Sequence, residues 1–324
     1  MFTENGKPVI SFLRAAAILL ILALLLAPLT IALAALSGID HRWVDILAQF
    51  TAPTLIATVF LVAASLPSRQ PHLSGLGGGV ILLLLIAVLP QWTPPGGWAD
   101  RKAPVLRLYS ANIWTENTNV DAIRRSVADA DPDIVLLVEL GSVPGSRLDE
   151  ILAGYPHRIT TPRTVLNGRA SNAVIASRYP VVELEDAGED LSDIAAVVRT
   201  PLGPLNVIGI HLTRPWPFQY QWGQIIEVDA LIKQRARLTG PVIVAGDFNS
   251  VSTGRIGRQV QAGASLRPAS GWPGTWPSDL PSAVGLTIDQ VYRSQDLAFV
   301  SRRLGKPTGS DHRPVITEFT LAAD

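Results

Sequence analysis

Between Arg14 and Asp40, and again between Asp45 and Arg69, this chain carries no charged side chain. A membrane-crossing helix needs about 20 apolar residues, and each stretch supplies them. A helix packed in a water-soluble domain would show a polar face, which these stretches lack. A third run, Leu73 to Leu89, is Gly-rich at its start and ends in ten unbroken apolar residues, Val80 to Leu89. Three spanning helices are therefore expected, at about 15–36, 46–66 and 73–89. A cleaved signal peptide is the competing explanation for the front, since Lys7 and Arg14 precede an apolar run followed by Ala32-Leu33-Ala34. That run is too long, and two more follow. Trp43, Trp92 and Trp98 fall at expected helix ends, where indole favours the membrane interface.

Three crossings place the amino terminus and the remainder on opposite sides. Lys7 and Arg14 favour a cytoplasmic start, while Arg42, Arg101 and Lys102 then fall outside against Arg69 inside, so the positive-inside balance is close. The favoured arrangement is a multi-pass cell-membrane protein with its large domain extracytoplasmic. The chain has no cysteine, which excludes thiolate catalysis and Cys-ligated zinc and leaves the redox compartment open.

Pro90 to Trp98 reads as the linker leaving the membrane, because its Pro and Gly residues cannot continue a helix. Residues 1–99 form the membrane region, and 100–324 a second domain in which strands alternate with helices. Strands are expected at Val105–Ala111, Ile134–Glu139, Val242–Ala245, in short runs from Ile159 to His211, and near Ile288, Leu297 and Val315. Helices are expected at Val120–Ala130 and from Gln219 to about Arg237. Such mixing specifies an α/β or α+β domain and no more.

The polar residues that could carry chemistry all flank apolar runs. Val242-Ile243-Val244-Ala245 leads into Gly246-Asp247-Phe248-Asn249, and Gly309-Ser310-Asp311-His312-Arg313-Pro314 leads into Val315. Further runs end at Asn112, Glu139, His211 and Asp289. Asp, Asn and Gly are also the commonest turn formers, so Asp247 and Asn249 taken singly could merely close a turn. The weight lies in the number of coincidences. The chain has five histidines, and two of them, His211 and His312, fall in these segments. Carboxylates with imidazoles offer oxygen ligands for a hard cation and a group that titrates near neutral pH.

In this order, with Ser171-Asn172-Ala173 between the second and third strand ends, the segments resemble the endonuclease/exonuclease/phosphatase (deoxyribonuclease-I-like) superfamily over roughly residues 104 to 321. The resemblance implies a four-layered α/β (α+β) sandwich, two packed β-sheets flanked by helices, with the active site at one sheet end. It implies Glu139, with Asn112 and Asp311, as oxygen ligands of Mg²⁺ or Mn²⁺, and Asp247 as the group that positions or activates the attacking water. Asn249 would hold a phosphate oxygen or that water. His312 would bind the phosphate or transfer a proton, with Asp289 fixing its tautomer, and His211 would be a second donor to the phosphoryl group. Asn172 would brace the site or touch substrate. The sequence departs from the family pattern at Val138, where Gln is common, at Gln290, where His is frequent, and at Ser171, where Gly is usual.

Charge bears on the substrate. Lys7, Arg14, Arg42 and Arg69 are the basic residues before position 101, and Glu4, Asp40, Asp45 and Asp100 the acidic ones, so the 27 of each sign leave the second domain balanced. Sequence-independent nucleic-acid binding draws on excess positive charge, which disfavours a nuclease. Arg214 to Trp222 packs four aromatics and two prolines into nine residues directly after His211. Such a loop could enter a membrane interface or hold an apolar chain, and could equally cap the core. Together with three helices it resembles the actinobacterial teicoplanin-resistance membrane proteins of the superfamily, which implies a polyprenyl pyrophosphate substrate. The expected function is a membrane-anchored, Mg²⁺-dependent hydrolase of phosphoester or pyrophosphate bonds acting on a phosphorylated, lipid-linked substrate. A membrane-tethered nuclease acting on extracytoplasmic DNA, and a catalytically silent binding module, are the alternatives. No protein partner is inferred.

Overall fold

The computed structural model describes residues 7–161, 164–166, 169–184, 191, 193–217 and 220–323. The chain divides into two compact units, Met1–Pro90 and Gln91–Asp324. The first is helical: α1 (Lys7–Leu36), α2 (Arg42–Gln49), α3 (Thr51–Ser65) and α4 (Pro71–Trp92), the last running two residues into the second unit. Among the described residues two helices are long and apolar enough to cross a membrane, Phe12–Leu36 and Pro71–Trp92. The expected second span, 46–66, is not one helix. It breaks between α2 and α3 with a bend of 56°, so a third span exists only if the bent pair counts as one. Pro53 explains the break, because it has no N–H to bond the Gln49 carbonyl one turn back. Thr51 Oγ1 donates instead to Ala48 O at 2.8 Å.

The second unit contains β1 (Leu106–Asn112), α5 (Val120–Ala130), β2 (Ile134–Leu140), α6 (Ser142–Ser146), α7 (Leu148–Ile151), β3 (His157–Thr160), β4 (Thr164–Leu166), β5 (Arg169–Ser177), β6 (Val181–Glu183), β7 (Asp193–Thr200) and β8 (Gly203–His211). There follow α8 (Gln221–Arg237), β9 (Val242–Asp247), α9 (Arg255–Gly263), β10 (Arg267–Pro268), β11 (Asp289–Arg293), β12 (Leu297–Leu304) and β13 (Val315–Leu321). Gln219, where α8 was expected to begin, lies outside the described residues. One sheet runs β12-β13-β1-β2-β5-β3 with β4 on β5, and the other runs β10-β11-β9-β8-β7-β6.

Period-two alternation along the strands builds the layers. On β1 and β2, Leu106, Leu108, Ile134, Leu136 and Val138 point between the sheets and meet Val207, Ile243, Ala245 and Val291 of the other sheet. Their neighbours Tyr109, Ala111, Val135 and Leu137 point outward onto α5, whose Val120, Ile123, Val127 and Ala130 recur at helical spacing. Asn119 caps that helix, its side chain accepting from Ala122 N at 3.0 Å. On the opposite outer face, Ile208, Ile210, Val242 and Val244 pack against Val228 and Leu231 of α8 and Ile256 and Val260 of α9. Helix, sheet, sheet and helix are the four layers that the family resemblance implied.

The stretch expected to be a linker is annealed to this unit. Asp100 N–H donates to Leu321 O at 2.9 Å, Ala323 N–H to Trp98 O at 2.7 Å, and Phe299 N–H to Gly96 O at 3.0 Å. Gly271 N–H donates to Gln91 O at 2.8 Å.

At Gly209 the two sheets approach so closely that a Cβ would clash with Leu136 Cδ1 and Ile194 Cγ2. Gly209→Ala should therefore destabilise the unit by about 1–3 kcal/mol through overpacking. Leu136→Ala added to it should recover part of that loss in a double-mutant cycle read by denaturant unfolding of the full-length protein. Strict additivity of the two losses would contradict the contact.

Candidate active site

Strand register brings the polar strand ends together. The parallel pair β1–β2 sets Asn112 beside Val138, one residue before Glu139. The parallel pair β8–β9 sets His211 beside Asp247, and antiparallel β11 sets Asp289 beside Asp247 on its other side. The antiparallel pair β1–β13 sets Ser110 beside Val315, so the loop carrying Asp311 and His312 arrives at the same end. Two backbones there are held at positive φ, Glu139 at 53° and Asn249 at 47°. Left-handed conformations of non-glycine residues cost about 1–3 kcal/mol and concentrate at functional sites. Gly246 has φ 136°, and a Cβ there would strike the Ile210 carbonyl, so the motif admits only glycine before Asp247.

Asp247, Asp289 and His312 form the buried centre. His312 Nδ1–H donates to Asp289 Oδ2 at 2.9 Å, and His312 Nε2 lies 3.7 Å from Asp247 Oδ2. Asp247 Oδ2 accepts from Asn112 Nδ2 at 3.0 Å, and its Oδ1 accepts from Asn249 N–H at 2.8 Å. His211 Nε2 lies 3.0 Å from Glu139 Oε1 and 3.8 Å from Asp247 Oδ2. Asn249 Nδ2 donates to Leu212 O at 2.9 Å. Asp311 is the most exposed of the set, accepts from Trp276 Nε1 at 3.2 Å and stands 4.0 Å from His312 Nε2. Asn172 lies opposite Leu140 across β2–β5, beyond an irregularity in the pairing that also displaces Glu139. All nine residues singled out in the sequence therefore sit at one end of the sandwich.

Asn112, expected as a cation ligand, is engaged at both ends of its amide. Its nitrogen holds Asp247 and its oxygen accepts from Trp114 N–H at 2.9 Å. This geometry makes it a brace on Asp247.

The electrostatics follow from burial. Removal from water pushes Asp247 up to about 6 against the pull of His312, with Asp289 adding to the rise. Burial works against the His312 imidazolium too, but the charges of Asp289 and Asp247 and the bond to Asp289 outweigh it and raise that group to about 10. At neutral pH His312 is thus a cation. Asp247, Asp289 and His312 each offer one ligand atom, all within 4.8 Å of one another, and so could hold a metal. Asp289 Oδ2 and His312 Nδ1 are committed to each other, however, and a charged imidazole opposes a cation. Glu139 and Asp311 are the better oxygen donors on these grounds.

Several supporting residues escaped the sequence. Gln224 Nε2 donates to Phe248 O at 2.8 Å and to Asn249 O at 3.2 Å, which fixes the loop after β9. Its signal was a glutamine in phase with Val228 and Leu231 on a buried helix face. Thr275 Oγ1 accepts from Asp289 N–H at 3.2 Å, and Ser310 Oγ donates to Asn112 O at 2.9 Å while accepting from His312 N–H at 3.1 Å. Ser310 lies within the segment 309–314 that the sequence singled out, though without a role of its own, and nothing in the local sequence marks Thr275. Glu227 accepts from Thr213 N–H and Oγ1–H at 2.7 and 2.8 Å, and burial pushes its carboxyl up against those bonds.

The family model of the Endonuclease/Exonuclease/phosphatase family matches residues 109–312. No curated protein matches the sequence. Among solved structures, an endonuclease/exonuclease/phosphatase from Beutenbergia cavernae aligns over 68% of this chain and 72% of its own at 20% identity and a TM-score of 0.54. The mannosyl-6-phosphatase of Bacteroides thetaiotaomicron aligns over 66% and 99% at 16% identity and 0.52. A humanized D. rerio TDP2 aligns over 66% and 98% at 17% identity and 0.51. At these identities the structures establish a shared fold.

The His312 pair has a pH signature. A histidine raised from 6.5 to about 10 on folding contributes stability that is fully present below pH 6.5 and is lost as pH climbs toward 10. Thermal unfolding of the full-length protein in detergent should show that decline, and His312→Gln should flatten it. An unchanged slope would break the pair. Because the cationic form is the one held, Asp289→Asn should move the alkaline limb of any pH–rate profile to lower pH.

Proposed function

The chain belongs to the endonuclease/exonuclease/phosphatase family, whose members are metal-dependent hydrolases of phosphoester bonds, and from that premise we propose that it is a membrane-anchored, Mg²⁺-dependent hydrolase of phosphoester or pyrophosphate bonds on a lipid-linked substrate. The observation that carries the chemistry is the convergence of Glu139, His211, Asp247, Asn249, Asp289, Asp311 and His312 at one sheet end, with Asp289 and His312 bonded at 2.9 Å. A binding module has no need of Glu139, Asp289 and His312 together at one site.

The donor set fits a hard divalent cation. It is rich in carboxylate oxygen, Asp289 Oδ1 is buried without a hydrogen-bond partner, and burial, with the charge of Asp289 beside it, makes Asp247 resist ionisation against the pull of His312. Glu139 and Asp311 would hold Mg²⁺ or Mn²⁺. Bound there, the ion would neutralise charge developing on the phosphoryl oxygens. The chain's own groups supply the rest. Asp247, fixed by Asn112 and by Asn249 N–H, is placed to take a proton from an attacking water. The His312 imidazolium, oriented by Asp289, donates to a phosphoryl oxygen through Nε2. His211, held by Glu139, is a second donor, and Asn249 orients the water or an oxygen of the phosphate. Asn172 braces the Glu139 end.

The anchoring rests on two helices long and apolar enough to span, three if the bent pair is one crossing. The lipid-linked substrate follows from tethering, which raises local enzyme concentration at a bilayer, and from a second domain without excess basic charge. The family includes nucleases as well as phosphatases, so DNA is the competing substrate.

Glu139→Gln keeps the shape of the side chain and removes its charge. It should lower kcat by about a hundredfold or more with little change in thermal unfolding. Near wild-type turnover of the variant in limiting Mg²⁺ would refute the ligand assignment. With three crossings and a cytoplasmic start, a reporter fused after Asp324 should read extracytoplasmic, and a cytoplasmic signal would reverse the topology.

A further inference from the structure

One cation on the rim of the cluster has no part in the chemistry above. Arg214 is exposed, and its guanidinium carbon lies 5.9 Å from the centroid of the Trp216 ring and 5.5 Å from that of Trp276. Trp276 is the residue whose Nε1–H donates to Asp311 Oδ2 at 3.2 Å. The backbone leading to Arg214 is fixed at every step. Leu212 N–H donates to Asp247 O at 2.9 Å, Leu212 O accepts from Asn249 Nδ2, and Thr213 is held twice by Glu227. Among the described residues no carboxylate pairs with Arg214.

An indole engages a guanidinium through its face, which leaves the in-plane N–H groups directed away from the ring. A residue held in this way has given up rotamer freedom before any ligand arrives, and its planar fork of donors matches the oxygens of a phosphoryl group. The neighbouring centre is rich in carboxylates, so an anionic substrate gains from a fixed cation beside it.

We propose that Arg214, clamped by Trp216 and Trp276, is a substrate-binding residue that takes a second phosphoryl group next to the one under attack, so that the site favours pyrophosphate substrates over those with a single phosphate. The proposal rests on the cluster being a phosphohydrolase centre. In the reaction, the oxygen of water bonds to one phosphorus and the bond from that phosphorus to the bridging oxygen breaks. The bridging oxygen leaves on the other phosphoryl group, one proton of the water stays on product phosphate, and the other is released.

The test compares kcat/KM for geranyl pyrophosphate and geranyl monophosphate, using full-length protein in detergent with Mg²⁺. Arg214→Gln should lower the pyrophosphate value by about ten- to a hundredfold and the monophosphate value by less than about threefold, the range expected for a charge-assisted contact. Arg214→Lys, which keeps the charge without the planar fork, should recover only part of the loss. Equal losses on both substrates, or none on either, would overturn the proposal. If the wild type hydrolyses neither, the hydrolase reading fails separately, and calorimetric binding of inorganic pyrophosphate against inorganic phosphate decides. A preference for pyrophosphate that Arg214→Gln abolishes supports the assignment, and the absence of any preference in the wild type contradicts it. Should Arg214→Gln not fold, the same comparison on Arg214→Lys decides, with undiminished discrimination counting against.

Discussion

A hydrogen bond of 2.9 Å between Asp289 and His312, both almost out of water, sets the character of the whole site. An isolated imidazolium in such a place would lose its proton, since burial favours the neutral form. Asp289 and the nearby Asp247 reverse that outcome and hold the charge. The same burial makes Asp247 reluctant to ionise. Two groups of opposite tendency are thus held 3.7 Å apart by rigid strands. This is the pattern expected where one group must accept a proton and another must stabilise negative charge.

The sandwich exists to make that arrangement possible. Asp289 and Asp247 face each other because β11 pairs with β9 in a single register, and a shift of one residue would turn both side chains to the other face. Asn112 reaches Asp247 from the other sheet, a contact that depends on close packing between the layers. Gly209 and Gly246 matter for this reason. The first lets the sheets approach, and the second lets the chain turn out of β9 against Ile210. Positive φ at Glu139 and Asn249 places the remaining strain at the same end of the molecule.

Much of this was legible in the sequence. Strand ends marked by Asn112, Glu139, His211, Asp247 and His312 announced themselves because apolar runs stop at polar residues, and those continuous runs identified the strands. The pattern of elements gave only an α/β or α+β domain, and the four layers came from the family resemblance. What stayed hidden depends on contacts between distant segments. Thr275 is an ordinary hydroxyl residue whose value lies in holding Asp289, and Ser310, inside a segment the sequence did single out, showed no sign there of holding His312 and Asn112. The α9 helix is nine residues long and turns only Ile256, Gly257 and Val260 to the core, an apolar face too short to stand out from a loop between flanking glycines. The break at Phe50 was written in Pro53, yet apolar length alone concealed it. The stretch at 90–98 looked like a tether because Pro and Gly disfavour a helix, yet α4 runs through Pro90 to Trp92 and the residues after it pair along a sheet edge.

A cation-dependent phosphohydrolase is the claim on which the functional account stands. Phosphate release by the purified full-length protein in detergent, measured on geranyl pyrophosphate and on bis(p-nitrophenyl) phosphate before and after stripping with EDTA, tests it most directly. The account predicts hydrolysis that stripping abolishes and added Mg²⁺ restores. Hydrolysis undiminished by EDTA, or none from either substrate with Mg²⁺ or Mn²⁺ present, would contradict it.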